Sequence, residues 1–237
     1  INHHTFPDVA ALSENITSVT AFLRAKCPDP RSVLTLVPTL GGGWYTKAGE
    51  EYWRVYDYVE NTICLQHPET DEDFYQSAVG FGTFQQLLTD FPAEKLHETI
   101  LNFHNTPDRY RILRETIGRD PMHRAAQVRP EIEFALAREA EMAVIQTALD
   151  AGELPLRVTH NDTKLNNVLL DAKTRKALCI VDLDTVMPGS SLYDFGDAIR
   201  FGASTAAEDE RDLSRVEMSL DRFRVFTLGY VRSCPGL

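Results

Sequence analysis

The amino-acid sequence predicts an α+β fold in which a small sheet-forming part precedes a mainly helical body. Two β-prone runs, RSVLTLVPT and EYWRVYDYV, flank the glycine-rich segment LGGGWYTKAGE, which is typical of a hairpin. Several later stretches carry apolar residues at i, i+3 and i+4, as amphipathic helices do. Periodicity is lost between residues 60 and 69, so we assign residues 1–60 to the first part and residues 61–237 to the second.

The elements follow from apolar spacing and from helix-end signals. The first predicted helix covers residues 8–26 and ends before Pro28. Further helices are predicted, beyond the hairpin, over residues 71–91, 93–103, 130–152, 193–203 and 208–231. Short strands are predicted within residues 156–160, 167–171 and 177–185.

The composition is that of a globular protein with an excess of acidic residues. Hydrophobic residues make up 43% of the 237 residues and charged residues 25%, and the net charge is −11. This balance argues against a protein that binds the nucleic-acid backbone, because such a protein needs a basic face. The longest apolar runs stay well below the roughly 18 residues of a membrane-spanning helix, so no membrane span is predicted.

The cysteines are predicted to be free thiols. No two of them form a C-x-x-C pair, and the four positions are Cys27, Cys64, Cys179 and Cys234. Free thiols without a zinc motif are typical of a reducing compartment, so we expect a cytoplasmic location.

The most informative stretch is THNDTKLNNVLLD, which places His160, Asp162 and Asn167 in the pattern H-x-D-x-x-x-x-N. Asp182 follows after an apolar run, a turn at AKTRK and a second apolar run. A hairpin of this form brings its open ends together, so we expect Asp182 beside Asp162 and Asn167. Carboxylate and amide oxygens are the ligands that Mg²⁺ prefers, with waters and phosphate oxygens completing its shell.

Phosphoryl transfer requires this combination of groups. One carboxylate must orient the attacking hydroxyl and accept its proton, while an acid and an amide hold the metal. Lys164 supplies a cation for the phosphoryl group. We expect His160 to hold the loop rather than to act as the base. Asp184 is interpreted as a turn residue, and Asp194 as the N-cap of the following helix.

The segment HNDTKLNN resembles the kinase catalytic loop H-R-D-L-K-x-x-N, with IVDLD in the place of the D-F-G metal aspartate. Its surroundings are similar to the aminoglycoside phosphotransferase and choline kinase superfamily. Within that superfamily, HNDTKLNNVLLD, IVDLDTVMPG and YDFGDAIRFGA look like the N-acetylhexosamine 1-kinases. The resemblance implies a protein-kinase-like fold and transfer of phosphate from ATP, with Mg²⁺, to the anomeric hydroxyl of N-acetylglucosamine or N-acetylgalactosamine.

The resemblance also implies roles for single residues. Asp162 matches the catalytic base, Lys164 the catalytic-loop lysine, and Asn167 and Asp182 the metal ligands. The catalytic loop then spans residues 160–167 and the metal loop residues 182–184.

On the nucleotide side, YDYVE resembles the hinge between kinase lobes, near residues 57–60. Backbone groups around Asp57 and Val59 would then meet adenine. Glu14 in the first helix is the candidate acid for pairing with a lysine that binds the ATP phosphates.

The chain departs from the family pattern at its start, where no phosphate-covering loop or basic strand residue precedes the first helix. We therefore expect a truncated N-terminal β lobe, a helical C-terminal lobe, and a piece of a longer kinase. Other small acceptors stay open, namely choline, ethanolamine, homoserine or an aminoglycoside. A kinase-fold fragment that only binds a ligand is the second alternative. A small-molecule partner is expected rather than nucleic acid or membrane, and the oligomeric state is open.

Overall fold

The computed structural model describes residues 1–236, which form two compact units. One unit comprises residues 1–100 together with the chain from residue 157 onward, and the other comprises Leu101–Leu156. The predicted loops at residues 160–167 and 182–184 both belong to the first unit. The predicted lobe boundary near residue 60 stays a prediction.

The first helix, α1 (Val9–Lys26), confirms the predicted amphipathic element. The Asp8 carboxylate accepts the Ala11 N–H at 2.9 Å and so caps the helix N-terminus. Leu12, Ile16 and Val19 are fully buried along one face. Burial of this apolar stripe fixes α1 to the larger of two hydrophobic clusters in the first unit.

The predicted hairpin is confirmed, and the segment that connects its two strands forms a second, smaller hairpin. Strand β1 (Leu36–Val37) pairs antiparallel with β4 (Val55–Tyr56). Between them, β2 (Thr46–Ala48) pairs antiparallel with β3 (Glu51–Trp53). Gly49, with a φ of 64°, lies in the two-residue connection between β2 and β3. A left-handed glycine is what a turn this tight requires, so part of the segment predicted as a loose turn is a strand.

Two further sheets position the candidate site. Strand β7 (Val168–Asp171) lies between β5 (Thr62–Cys64) and β8 (Ala177–Ile180) in an antiparallel sheet. Strand β6 (Arg157–Thr159) pairs antiparallel with β9 (Met187–Gly189). The strands β6, β7 and β8 confirm the sequence prediction. The short strands β5 and β9 were not predicted, because β5 lies in the segment without periodicity and β9 contains Pro188 and Gly189, which are unfavourable in strands.

Helix α2 (Asp71–Leu87) confirms the predicted helix that starts at residue 71. Thr70 and Asp73 form a capping box, with each side chain bonded to the other residue's backbone N–H. The helix packs against α8 (Leu220–Ser233) and against β7 and β8. At Gly82 an added Cβ would lie 2.8 Å from the Tyr230 carbonyl oxygen, so only glycine allows this close approach.

The last helices agree with the sequence in part. Helix α7 (Ser191–Gly202) confirms the predicted element over 193–203. The helix predicted over 208–231 is wrong in its first half, because α8 begins only at Leu220. The Asp212 carboxylate caps a short 3-10 turn at Leu213–Arg215, and the Thr205 hydroxyl donates to the Arg215 carbonyl. These polar contacts fold the segment back as a loop.

The second unit is helical, and its helices are α3 (Thr106–Arg119), α4 (Arg129–Leu136), α5 (Glu139–Met142) and α6 (Val144–Asp150). The predicted helix over 130–152 is therefore three short helices. The helix predicted over 93–103 is wrong, since only Ala93–Lys95 forms a 3-10 turn and Asn102 has a φ of 56°.

Helix α3 was not predicted from the sequence because it lacks a clear apolar stripe. No residue of α3 is buried. Instead, Arg111 forms ion pairs with Asp108 and Glu115 on the same helix, which adds modest support.

None of the helices within residues 1–236 has the length and apolar character needed to cross a membrane. The four cysteines are free, as predicted.

Candidate active site

The catalytic loop, residues 160–167, connects β6 to β7 and is anchored from α7. The buried Asp194 carboxylate accepts the His160 N–H at 2.9 Å and the Asn161 N–H at 2.8 Å. Its other partner is the Gln85 side-chain amide, whose Nε2 donates at 2.8 Å. Burial raises the pKa of Asp194. The interpretation of Asp194 as N-cap is wrong, because Ser190 caps α7 and Asp194 binds the loop backbone.

A second acid on α7 holds the middle of the loop. Asp197 lies one turn after Asp194 and accepts the Thr163 N–H at 2.8 Å through Oδ2. The Thr163 hydroxyl donates to the Asp194 carbonyl at 2.6 Å. The other Asp197 oxygen accepts from the Arg200 guanidinium. Two acids on one helix face thus fix the backbone on both sides of Asp162.

His160 is fully buried and has the structural role predicted for it. Its Nδ1 accepts the Asp162 N–H at 3.3 Å, so its Nε2 carries the proton donated to the Val181 carbonyl at 2.9 Å. The ring lies edge-on to Phe81, with the two ring centroids 5.4 Å apart. The imidazole therefore joins the catalytic loop to the end of β8 and is unavailable as a base.

Asp162 is held by two neighbours from its own loop. The Asn167 Nδ2 donates to the Asp162 carbonyl at 2.8 Å and to its Oδ2 at 3.1 Å. The Lys164 Nζ lies 3.2 Å from Asp162 Oδ1 and 3.9 Å from a Glu208 oxygen. Because the amide nitrogen of Asn167 is committed to Asp162, its oxygen is the atom left for a metal.

The β7–β8 hairpin brings the metal loop to the catalytic loop. Val168 pairs with Ile180, and the Val181 N–H donates to the Asn167 carbonyl at 2.9 Å. Asp182 follows directly, with a left-handed backbone (φ 58°, ψ 57°) that is rare for a residue other than glycine. Surrounding protein raises the pKa of Asp182 by desolvation, with repulsion from Asp184 and Asp162 adding to the shift.

The Asp182 carboxylate is suited to a cation. No group within residues 1–236 donates a hydrogen bond to it. Asp184 and Asp162 repel its negative charge, and a bound cation would relieve that repulsion. No cluster of three or more metal-ligating acids, histidines or cysteines occurs in the described part of the chain. Mg²⁺ does not need such a cluster, because one or two carboxylates plus phosphate oxygens usually bind it. Asp182 and the Asn167 oxygen fit that description.

A second ion pair contacts the metal loop at Asp184. Arg54, between β3 and β4, contacts the Asp184 carboxylate, and its guanidinium lies 5.2 Å from the Tyr56 ring centroid. Burial raises the pKa of the Tyr56 phenol to about 12, and both Asp184 and Asp182 are close enough to contribute. Asp184, interpreted from the sequence as a turn residue, therefore also faces a cation from the N-terminal sheet.

Asp57 and Val59, the residues predicted to meet adenine, lie at and just after the end of the β1–β4 hairpin. The Asp57 N–H donates to the Thr35 carbonyl at 2.9 Å, and the Val59 carbonyl accepts from the Thr62 hydroxyl at 2.9 Å. Within residues 1–236 this leaves the Asp57 carbonyl and the Val59 N–H without hydrogen-bond partners. The hinge role of these two residues stays a prediction.

Glu14 lies on α1 with its side chain 69% exposed, 2.8 Å from the His97 Nε2. Its pairing with a phosphate-binding lysine stays a prediction. The neighbouring Asn15 is buried and was not predicted as important. Its Nδ2 donates to the Val186 carbonyl at 3.0 Å and to the His97 carbonyl at 2.8 Å, so it holds the chain that leaves the metal loop.

Sequence reasoning assigned Asp194 and Asp197 to the start of α7 instead of to the anchoring of the catalytic loop, and it missed the cation Arg54. The i, i+3 spacing of two acids in YDFGD was a usable signal, because both acids face the same direction on a helix. Arg54 gave no signal, since its partner Asp184 lies far away in the sequence.

A kinase-like α+β fold with an Asp–Asn–Asp cluster at the open end of a hairpin is the arrangement of a phosphotransferase. Residues 5–224 match the family described as "Phosphotransferase enzyme family" (APH), and the chain belongs to this family.

Solved structures of similar fold include an aminoglycoside phosphotransferase from Alicyclobacillus acidocaldarius. It is 16% identical with a TM-score of 0.58, and the match covers 93% of this chain and 65% of that one. Another is an ethanolamine kinase of Plasmodium vivax, 15% identical with a TM-score of 0.51, at 92% and 58% coverage. A third is the ADP-bound aminoglycoside phosphotransferase APH(2'')-Ib, 12% identical with a TM-score of 0.51, at 96% and 69% coverage. At these identities the similarity shows the fold.

Proposed function

We propose that the protein carrying this chain is an ATP- and Mg²⁺-dependent kinase that phosphorylates a hydroxyl group of a small molecule. The observation that supports this most directly is the geometry around Asp162. Lys164 and Asn167 contact its carboxylate, and the Asp182 carboxylate, which follows the strand paired with β7, is close enough to repel it. Membership of the phosphotransferase family and the fold shared with an ADP-bound relative support the same conclusion.

Each residue has a distinct task in the proposed reaction. The acceptor oxygen forms a bond to the γ-phosphorus of ATP, the bond from that phosphorus to the bridging oxygen breaks, and ADP leaves. The acceptor proton passes to the Asp162 carboxylate. The Lys164 ammonium stabilises charge on the transferred group, and Asn167 and Asp182 hold Mg²⁺. When bound, Mg²⁺ neutralises charge on the phosphate oxygens.

For the acceptor, we propose the anomeric hydroxyl of an N-acetylhexosamine. The support is the sequence resemblance to the N-acetylhexosamine 1-kinases in three segments that contain the site residues, namely HNDTKLNNVLLD, IVDLDTVMPG and YDFGDAIRFGA. The relatives of similar fold act on other acceptors by their names, namely aminoglycosides and ethanolamine. Choline, ethanolamine, homoserine and aminoglycosides are therefore the competing acceptors, and a ligand-binding role without transfer is the second candidate function.

The test is acceptor-dependent ADP release by the full-length protein, measured with N-acetylglucosamine, N-acetylgalactosamine and the competing acceptors. Asp162→Asn should lower turnover by at least about 100-fold, because a carboxamide cannot accept the hydroxyl proton. Asp221→Asn, at an 84% exposed position on α8, is the matched control and should keep parent turnover.

The outcomes separate the alternatives. Turnover by Asp162→Asn close to that of the parent would contradict the assigned base. Turnover only with an amino alcohol or aminoglycoside would contradict the sugar acceptor and keep the kinase. Nucleotide binding without ADP release for any acceptor would favour the binding role.

A further inference from the structure

Arg54 extends from the N-terminal sheet to the metal loop. It lies between β3 and β4 and forms an ion pair with Asp184, and both side chains are largely buried, with 12% and 17% exposed. An ion pair in such an environment is held more firmly than one on the surface, because solvent screens it less. The pair therefore fixes a guanidinium close to the acids of the candidate active site.

Two hydrogen-bonding groups in this place lack protein partners. The Arg54 Nη1 and the Tyr56 hydroxyl are buried, and neither has a hydrogen-bond partner within residues 1–236. Leaving a buried donor unsatisfied is energetically unfavourable, so most buried donors in folded proteins have a partner. Both belong to one contact, since the Arg54 guanidinium lies 5.2 Å from the Tyr56 ring centroid. Two unsatisfied groups side by side next to the metal loop indicate a binding position for oxygen atoms of a ligand.

We propose that Arg54 and Tyr56 bind phosphate oxygens of the nucleotide next to the metal loop. The proposal rests on the proposed kinase function and adds two residues to its nucleotide site. Guanidinium suits this task, because its planar fork offers five N–H donors and can serve a carboxylate and a phosphate together. Asp184 occupies the Nη2 side of the fork and leaves Nη1 for the ligand.

The surrounding charges specify the form of the ligand. The charges of this cluster are three carboxylates, those of Asp162, Asp182 and Asp184, and two cations, Lys164 paired with Asp162 and Arg54 paired with Asp184. The cluster is thus negative overall and repels a free polyanion. A polyphosphate that arrives chelated to a divalent cation is attracted, because the cation meets the carboxylates while the phosphate oxygens meet Arg54 and Lys164. The expected ligand is Mg²⁺-chelated nucleoside triphosphate rather than free phosphate.

The competing explanation is purely structural, in which Arg54 only holds the metal loop through Asp184. The two explanations differ in which ligand loses affinity. Loss of a phosphate contact weakens Mg·ATP and leaves adenosine unchanged. Loss of a structural brace alters the loop and the stability without distinguishing between these ligands.

The experiment is titration calorimetry of the full-length protein with Mg·ATP and, separately, with adenosine. Arg54→Met should weaken Mg·ATP by at least tenfold and leave adenosine affinity within twofold. Tyr56→Phe, which removes only the hydroxyl, should weaken Mg·ATP by several-fold and keep the melting temperature. Arg31→Met is the matched control, because Arg31 also forms a long-range ion pair with an aspartate, Asp171 at 3.0 Å, but at the turn end of the β7–β8 hairpin and outside the site.

Equal Mg·ATP affinity for Arg54→Met and Arg31→Met would overturn the inference while leaving the kinase proposal intact. Equal losses for Mg·ATP and adenosine would also overturn it, in favour of the structural brace. If Arg54→Met does not fold, Tyr56→Phe decides alone, and unchanged Mg·ATP affinity in that variant overturns the inference. Failure of the unmodified protein to bind Mg·ATP would overturn the proposed function first.

Discussion

The two loops of the candidate active site are built differently. In the catalytic loop, the N–H groups of His160, Asn161 and Thr163 are all bound by carboxylates of α7, and the loop is mostly buried. In the metal loop, Asp182 takes a left-handed backbone and its carboxylate has no donor within residues 1–236. The difference teaches that the fold itself positions Asp162, the proposed base, whereas Asp182, the proposed metal ligand, has no protein donor to hold its carboxylate.

Asp194→Asn should weaken the anchoring of the catalytic loop and have the largest effect of the variants compared. The substituted amide has only one oxygen for two loop N–H groups and for Gln85. One buried donor is left unsatisfied, so we expect a loss of about 3 kcal/mol in the free energy of unfolding. Turnover should fall at least tenfold with little change in KM for the nucleotide, because the loop carrying Asp162 loses its anchor. Urea unfolding and steady-state kinetics measure both.

The control for this variant is Asp90→Asn, which removes an exposed ion pair with Lys26 on the surface of the same unit. Its unfolding free energy should change by no more than about 0.5 kcal/mol. If Asp194→Asn were as stable and as active as Asp90→Asn, the catalytic loop would not depend on α7.

Asp182→Asn tests the metal loop and should have an intermediate effect. The Mg²⁺ concentration needed for nucleotide binding should rise at least tenfold, while the fold stays intact. Titration of Mg²⁺ by calorimetry at fixed nucleotide measures this. An unchanged Mg²⁺ requirement would contradict the role of Asp182 as a metal ligand.

The same variant should change the pH dependence of stability in metal-free buffer. The pKa of Asp182 is raised in the folded protein above the ordinary value of 3.8. The folded state therefore binds the proton more tightly, and the stability contributed by protonated Asp182 is lost as the pH rises through the raised pKa. Relative to the parent, Asp182→Asn should become more stable as the pH rises from below 3.8 towards neutrality. A constant difference across this range would contradict the raised pKa.

Thr185→Val tests the direct link between the loops and should have the smallest effect. The Thr185 hydroxyl donates to the His160 carbonyl at 2.6 Å. Loss of this single bond should cost about 1 kcal/mol of unfolding free energy. Thr227→Val on α8 is the control, since it also removes one hydroxyl-to-backbone bond, to Phe223 at 2.7 Å, away from the site. A larger fall in turnover for Thr185→Val than for Thr227→Val is expected, and equal turnover would show that the link is unimportant.

The parts of the site that the sequence could predict are those that depend on local register. The sequence from Asp162 to Asp182 contains one hairpin, and an antiparallel pair has only one way to bring its open ends together. The placement of Asp182 beside Asn167 followed from that alone. The anchors on α7 could not be predicted in the same way, because Asp194 meets His160 across 34 positions of sequence and through tertiary packing.

The fold shows the same division between local and long-range information. Helices with an apolar stripe, such as α1 and α2, were predicted with their first turns, and α1 with both of its ends. Helix α3 was missed because charged pairs rather than an apolar face support it. Residues 93–103 have apolar residues at helical spacing, but only Ala93–Lys95 forms a 3-10 turn there. The short strands β5 and β9 exist only through their partners in other parts of the chain.

The imidazole of His160 offers a spectroscopic view of both loops at once. Its Nε2–H donates to the Val181 carbonyl, and the ring is enclosed by Phe81 and Phe84. A ring N–H that is shielded from water exchanges slowly and gives a resolved proton resonance far downfield of the amide region. Because His160 begins the catalytic loop and Val181 directly precedes the metal loop, the resonance should broaden when the loops separate and sharpen when a ligand draws them together. A single proton can thus report the opening and closing of the site in solution.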